Sequence, residues 1–278
     1  MNSGSDAFAK FEHEGWERVA DRYELGWSRL TRAFIPHLLE AAKLRPGMRL
    51  LDVACGPGYV AEAARAQGVD VTGVDFSARM IRLARRRNPQ IELREGDAQG
   101  LAFEDQSFDA VVMNFGLLHL SRPEAAFAEA HRVLRSGGVY AFTVWAGPGK
   151  SPGARIVDEA VKAHANLAVE LPQGPDHFGY GNPDECRSAL GRVGFEPASL
   201  GFQTVTVEWE LPTASFLFES ERHAGVRTAA LLAAQTPGAL LAIEASIEQA
   251  VRRYAAGNGF FVPFAAHVVT VTTAEPHD

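Results

Sequence analysis

The chain has 278 residues, 46% of them hydrophobic, and a formal net charge of −7. That acidic balance disfavours a nucleic-acid partner or an anionic membrane surface, since both require a basic face. Two cysteines, Cys55 and Cys186, are too few for a disulfide framework or a cysteine-rich zinc site, and no HExxH spacing offers a histidine-based one, so no metal is expected.

The N-terminus has no basic segment followed by an apolar run, and no stretch reaches the roughly 18 unbroken apolar residues of a membrane span, so a cytoplasmic protein is expected. Residues 8–44 read as helical, broken near Gly26 and Pro36, and Arg45-Pro46-Gly47 is a turn. Residues 49–54 (RLLDVA) suit a buried strand. A Gly-rich loop follows, then a helix over 59–67 that stops at Gly68. Residues 69–74 form a second strand. Ser77 is placed to cap a helix running to Arg87, before Asn88-Pro89. Residues 91–95 and 108–113 are the third and fourth strands. Ser121 and Glu124, with Pro123 in the first turn, predict a capping box that opens a helix, and Ala126, Phe127, Ala130, Val133 and Leu134 form its apolar face. Gly137-Gly138 is expected to end that helix before a fifth strand over 139–145.

The last 130 residues are less regular. A helix is expected over 184–193, ending at Gly194, and a strand over 200–211. Leu240, Ile243, Ile247, Val251 and Tyr254 share one helical face, with Gly257 as the expected C-cap, and 260–273 reads as a last strand. A helical insert over 213–257 thus separates two strands able to pair as an antiparallel edge. Regular alternation of helix and buried strand implies an α/β, doubly wound, Rossmann-like sheet. The expectation is seven strands, mostly parallel, with the last antiparallel, and with N-terminal helices and the insert forming a lid. Ligands bind such sheets at the carboxyl ends of the strands. Here those are the loops after Ala54, Val74, Glu95 and Met113.

The loop Asp52-Val-Ala-Cys-Gly56-Pro57-Gly58-Tyr-Val-Ala61 fits G-x-G-x-x-G/A, with Asp75 nineteen residues after Gly56 at the next strand end. Alone, that also fits a dinucleotide site. Two details oppose a pyrophosphate. Pro57 removes a backbone N–H from the loop, and the Asp52 carboxylate suits a cationic ammonium or sulfonium instead. A tight strand–helix turn with no ligand is the plain alternative.

Four segments together resemble the class I S-adenosylmethionine-dependent methyltransferases, in particular the ubiquinone/menaquinone C-methyltransferase-like group. They are LLDVACGPG (50–58), VTGVDFSARMIRLAR (71–85), EGDAQGLAFEDQSFDAVVMNFGLLHL (95–120) and PEAAFAEAHRVLRSGGVYAF (123–142). WERVADRYELGW (16–27) resembles the segment that caps the cofactor in that group. The resemblance implies one methyltransferase domain with an N-terminal cap (1–44), a cofactor-binding core (45–146) and a C-terminal part (147–278) that carries no recognisable motif. It also implies roles. Ala54, Gly56 and Gly58 belong to the loop against the methionine part of S-adenosylmethionine, and Asp52 serves its ammonium directly or through water. Asp75 takes the ribose hydroxyls, Phe76 and Met80 flank the adenine, and Asp97, between Gly96 and Ala98, accepts from the adenine amino group. Asn114 and Phe115 lie near the reactive methyl, and Tyr23 closes over the cofactor from the N-terminal helix. Each has a plainer reading: Asp97 as a turn residue, Phe76, Met80 and Phe115 as core, Tyr23 as a packed helix residue. Cys55 reads as a small buried filler.

A sulfonium methyl is already activated, so positioning supplies much of the rate and a base is needed only if the acceptor must lose a proton. His119 is the candidate for catalysis, with an orienting part as the alternative. His177 and Phe178, in a Pro-Gly-rich stretch, and Trp27 and His223 are the candidates for substrate contact. Trp16, Phe216 and Phe218 suggest an aromatic pocket and fit core packing equally well. The expected function is methyl transfer to a small-molecule acceptor by a monomer or homodimer. The alternatives are a protein of this fold that binds the cofactor for non-methylating or regulatory purposes and, opposed by Pro57 and Asp52, a nicotinamide oxidoreductase.

Overall fold

In the computed structural model, which describes residues 3–275, one sheet carries eight strands. They are β1 (Arg49–Val53), β2 (Asp70–Asp75), β3 (Glu92–Glu95), β4 (Phe108–Asn114), β5 (Leu134–Trp145), β6 (Gly201–Leu211), the two-residue β7 (Ala255–Ala256) and β8 (Gly259–Thr272). The order is β3-β2-β1-β4-β5-β8-β6, with β7 hairpinned onto β8. β1 to β5 run parallel, and β8 inserts antiparallel between β5 and β6. The seven expected strands are all present, the last one antiparallel, and only the short β7 is additional.

The helices in chain order are α1 (Ser3–Tyr23), α2 (Ser28–Ala33), α3 (Ile35–Ala41), α4 (Tyr59–Arg65), α5 (Ala78–Arg87), α6 (Pro123–Val133), α7 (Pro152–His164), α8 (Pro183–Arg192), α9 (Phe216–Ala224), α10 (Arg227–Ala233) and α11 (Pro237–Val251). Strand alternation divides the apolar residues between two layers. Leu50, Val112 and Ala141 pack under α3, α4 and α5. Leu51, Val53, Val111, Met113 and Phe142 pack against α6 and α8. A third cluster joins α2, α7, α9 and α11 to the ends of β6 and β8 and holds the insert on the sheet edge.

The break expected near Pro36 is present, since α2 gives way to α3 at Phe34 and Pro36 sits in the first turn of α3, where its missing N–H is harmless. Several local expectations are corrected. The capping box at Ser121 does not form, because Ser121 Oγ donates to Gln99 Oε1 and Glu124 pairs with Arg192. α6 ends at Val133, and Gly137-Gly138 lie inside β5, where Gly137 takes φ 71° beside a register shift against β4. Gly257, at φ 55°, turns the β7–β8 hairpin and does not cap α11. The sequence reading missed α7, although Ile156, Val157 and Ala160 are buried along one of its faces.

Candidate active site

The loop after β1 is built on left-handed backbone: Ala54 at φ 55°, Gly56 at 52° and Gly58 at 80°. Such a conformation costs a residue with a Cβ about 1–2 kcal/mol, which glycine avoids. Gly58 has a second reason. A Cβ there would stand 2.7 Å from Asn88 Nδ2, which donates to the Gly58 carbonyl and ties α5 to the start of α4. A Cβ on Gly56 would meet nothing within 4 Å, so its backbone faces open space. Asp75 fastens the loop from the tip of β2. Its Oδ2 accepts the Gly56 N–H at 2.8 Å and its Oδ1 the Ser77 N–H at 2.9 Å. Burial pushes the Asp75 carboxyl up to about 6 against those two stabilising donors.

Asp52 sits on the α4 side of β1 and is fully buried. Its Oδ2 accepts the Ala61 N–H at 3.1 Å, pinning the first turn of α4, while Oδ1 has no partner. Burial first, and then the nearby Asp75 charge, raise its carboxyl to about 8 despite the Ala61 bond.

Directly after β4 stands a second non-glycine residue with left-handed backbone, Phe115 at φ 56°. Strain of this kind persists only where neighbours over-determine it. The Phe115 N–H donates to Thr143 Oγ1 at 2.9 Å, Thr143 Oγ1 donates to Asn114 Oδ1 at 2.7 Å, and Asn114 Nδ2 reaches the Thr31 carbonyl on α2. The Phe115 ring stacks on Trp145 at 3.9 Å. Tyr23, at the end of α1, hydrogen-bonds Thr31 at 2.8 Å and meets Trp16 edge-on.

These strand tips floor a pocket of about 1330 Å³, part of it open to solvent, roofed by α1, α2 and the segment from Glu221 to Thr228. The roof is clasped by an ion cluster. Glu12 of α1 is fully buried; it accepts from His119 Nδ1 at 2.9 Å and from Arg227 Nε at 3.0 Å. Arg227 also donates to the Pro175 and Leu118 carbonyls and lies over the Phe8 ring. One guanidinium thus joins α1, α10, the turn after β4 and the loop carrying His177. Burial acts to raise the Glu12 carboxyl, but His119 and Arg227 together hold it below the usual carboxylate range.

Eleven of the thirteen residues expected at the cofactor line this pocket: Tyr23, Ala54, Gly56, Asp75, Phe76, Met80, Gly96, Asp97, Ala98, Asn114 and Phe115. Asp52 and Gly58 do not, and their contacts are with the loop and α4. His119 lines the pocket, but its Nδ1–H is committed to Glu12. Of the substrate candidates, Trp27 and His177 line it. Burial, with Arg227 and His119 nearby, lowers His177 to about 4, so it is neutral. Phe178 packs edge-on against His177 outside the lining, and His223 is exposed on α9. Phe218 is core, and Phe216 packs on Trp209. Trp16 does line the pocket.

Sequence reasoning missed Glu12, Glu221 and Arg227. The signal was present for the acids. Glu12 falls on the helical face of Phe8 and Val19, and Glu221 on that of Leu217 and Ala224, so each is a charge at a core position. Burial raises the Glu221 carboxyl to about 7, offset in part by a hydrogen bond from Thr228. Burial and the Asp52 and Asp75 charges keep the Cys55 thiol protonated, which suits a filler and not a nucleophile.

Residues 51–142 match the family described as methyltransferase domain. A demethylmenaquinone methyltransferase of Renibacterium salmoninarum is 37% identical over 146 residues, covering 51% of this chain and 62% of the relative, so the chain spans about three fifths of that protein. A second protein of that name, from Beutenbergia cavernae, is 38% identical over 173 residues, covering 59% of this chain and 71% of the relative. Among solved structures, Haemonchus contortus phosphoethanolamine N-methyltransferase 2, in complex with phosphomonomethylethanolamine and S-adenosylhomocysteine, superimposes with a TM-score of 0.53 at 20% identity over 87% of this chain and 53% of the other, a likeness of fold. The strand order, the Gly-rich loop and the extent of these matches lead to one conclusion: the chain belongs to the class I S-adenosylmethionine-dependent methyltransferase family.

Proposed function

We propose that this protein transfers the methyl group of S-adenosylmethionine to a small, flat, apolar acceptor. The reading rests on one pocket that carries two kinds of wall. On one side the open Gly56 backbone, the Asp75 carboxylate, Asp97, and the apolar Phe76, Met80 and Ala98 match a nucleoside with a cationic amino-acid tail. On the other, Trp16, Trp27, Trp145 and Phe115 offer ring faces beneath the insert.

The residues fit the cofactor. Asp75 has free lone pairs beyond the two it gives to Gly56 and Ser77, enough for two ribose hydroxyls. Asp97 accepts from the Gln99 backbone and side chain through the same carboxylate and keeps capacity for an amino group. Asp52, buried behind the loop and protonated near neutrality, holds α4 rather than touching the ligand. S-adenosylmethionine brings an activated methyl. The chain's part is to align the acceptor with it, exclude water and place Phe115 and Asn114 by the strained end of β4. The names of the relatives suggest demethylmenaquinol, the reduced quinone, as the first acceptor to try.

The test is transfer of labelled methyl from S-adenosylmethionine to demethylmenaquinol and to 1-naphthol. Label in the acceptor with release of S-adenosylhomocysteine supports the reading. Tight S-adenosylhomocysteine binding with no transfer to any hydroxylated aromatic would favour a binding role instead.

A further inference from the structure

The acceptor side of the pocket holds a buried carboxyl that no ion pair among the described residues uses. Glu221 lies on α9, 9% exposed, and lines the cavity one turn before Ala224 and Gly225, which line it too. Among the described residues, the Thr228 side chain is the one group that favours its charged form. Among the described residues no salt bridge reaches it: Arg227, six residues on, is spent on Glu12 and two carbonyls, and Arg32 lies over the Tyr59 ring. A buried carboxyl without a counter-charge is costly and has no packing rationale, since an apolar residue would fill the place better. The other titratable groups lining the pocket come from different elements: Tyr23 of α1, Arg32 of α2, Cys55 and Tyr59 around the Gly-rich loop, Asp75 of β2, Asp97 after β3, His119 after β4, His177 of the loop before α8, and Arg227 of α10. Helix α11, which also packs on α9, contributes none to the lining.

We propose that the Glu221 carboxylate receives the hydroxyl proton of the acceptor as the methyl group is transferred, so that the site selects hydroxylated aromatic rings. This rests on the methyl-transfer reading above. As the acceptor O–H bond breaks, its proton goes to a Glu221 oxygen. The electron pair left on the acceptor, at oxygen or delivered through the ring to carbon, forms the new bond to the methyl carbon. The carbon–sulfur bond breaks with its pair on sulfur, giving neutral S-adenosylhomocysteine. The proton then passes to solvent when the site opens. Transfer at a ring carbon ends with loss of that carbon's proton, which restores the aromatic ring. With the carboxyl raised to about 7, base and acid forms are both accessible near neutrality, as proton transfer in both directions requires.

The experiment compares wild type with Glu221→Gln, which keeps shape and removes the base, and Glu221→Asp, which keeps the base one methylene back. With 1-naphthol or demethylmenaquinol as acceptor, Glu221→Gln should lose about 100-fold or more in kcat while binding S-adenosylhomocysteine as wild type does. Glu221→Asp should recover part of that loss. The wild-type rate should rise about tenfold per pH unit below pH 7 and level above it, and the glutamine variant should lack this inflection. Glu221→Gln retaining wild-type kcat, or the same inflection, overturns the proposal. A second measurement needs no turnover: the ratio of 1-naphthol to naphthalene affinity in the presence of S-adenosylhomocysteine. Wild type should favour the hydroxylated ring by about tenfold or more, the worth of a hydrogen bond to a carboxylate, and Glu221→Leu should abolish that preference. An unchanged ratio in Glu221→Leu also overturns the assignment. Absence of S-adenosylhomocysteine binding in wild type would instead defeat the underlying reading while leaving this ratio measurable.

Discussion

Replacing Asp52 by asparagine should change the stability of the protein in opposite directions at low and neutral pH. The folded carboxyl is raised to about 8 from an ordinary 3.8, chiefly by burial. A carboxyl of raised pKa contributes stability that is fully present below the unfolded value and is lost as pH rises toward the folded one. At pH 7 the unfolded chain is ionised at this residue and the folded chain is not. At 1.36 kcal/mol per pH unit over the interval from 3.8 to 7, the native state is about 4 kcal/mol less stable than at low pH, an upper bound. Asparagine escapes that loss. Its carbonyl can still accept the Ala61 N–H, but its amide group then occupies the unpartnered Oδ1 position, a buried donor without an acceptor, at about 1–3 kcal/mol. The difference leaves Asp52→Asn about 1–3 kcal/mol more stable at pH 7 and about as much less stable at pH 4, with a crossing near pH 5–6. Thermal unfolding of the unliganded protein from pH 4 to 8 reads this directly, at roughly 2–4 °C per kcal/mol. An Asp52→Asn variant less stable than wild type by the same amount at every pH would refute the reasoning.

Four other outcomes follow from the same structure. Arg227→Ala leaves Glu12 buried with only His119 for a partner and should cost about 3 kcal/mol, seen as a lowered Tm, because removing one member of a buried ion cluster strands the other. S-adenosylhomocysteine affinity should fall about tenfold per unit as pH drops below about 6, where a proton competes for Asp75; calorimetric titration at pH 5 and 7.5 checks it. Gly58→Ala should lose about 2 kcal/mol or more in denaturant melts, from its left-handed backbone and the 2.7 Å approach to Asn88. Asn114→Ala should unpin Thr143 from Phe115 and lower methyl-transfer kcat with little change in Tm, as measured on the same preparation.

The parallel half of the fold was legible because its signals are local. Buried strands such as 49–53 read as short apolar runs, and glycine marked the backbone that no other residue takes cheaply. The strand-tip acids were legible by spacing, yet their contacts within the protein were not: Asp52 also holds α4, through a bond between residues nine apart in a turn. Capping at Ser121 failed because Gln99, 22 residues away, competes for its hydroxyl. The acceptor wall was least legible. It is assembled from α1, α9, α10 and the loop at His177, and the bond from Arg227 to Glu12 spans 215 residues. No periodicity records such a contact. A charge on an otherwise apolar helical face, as at Glu221, was the one available sign.

The most direct measurement is calorimetric titration of the protein, and of Asp75→Ala, with S-adenosylhomocysteine and separately with NAD. The pocket described here should bind S-adenosylhomocysteine in the wild type, lose at least about 30-fold in the variant through two charge-assisted ribose bonds, and ignore NAD. Equal affinity of wild type and Asp75→Ala, or tight binding of NAD alone, would contradict it.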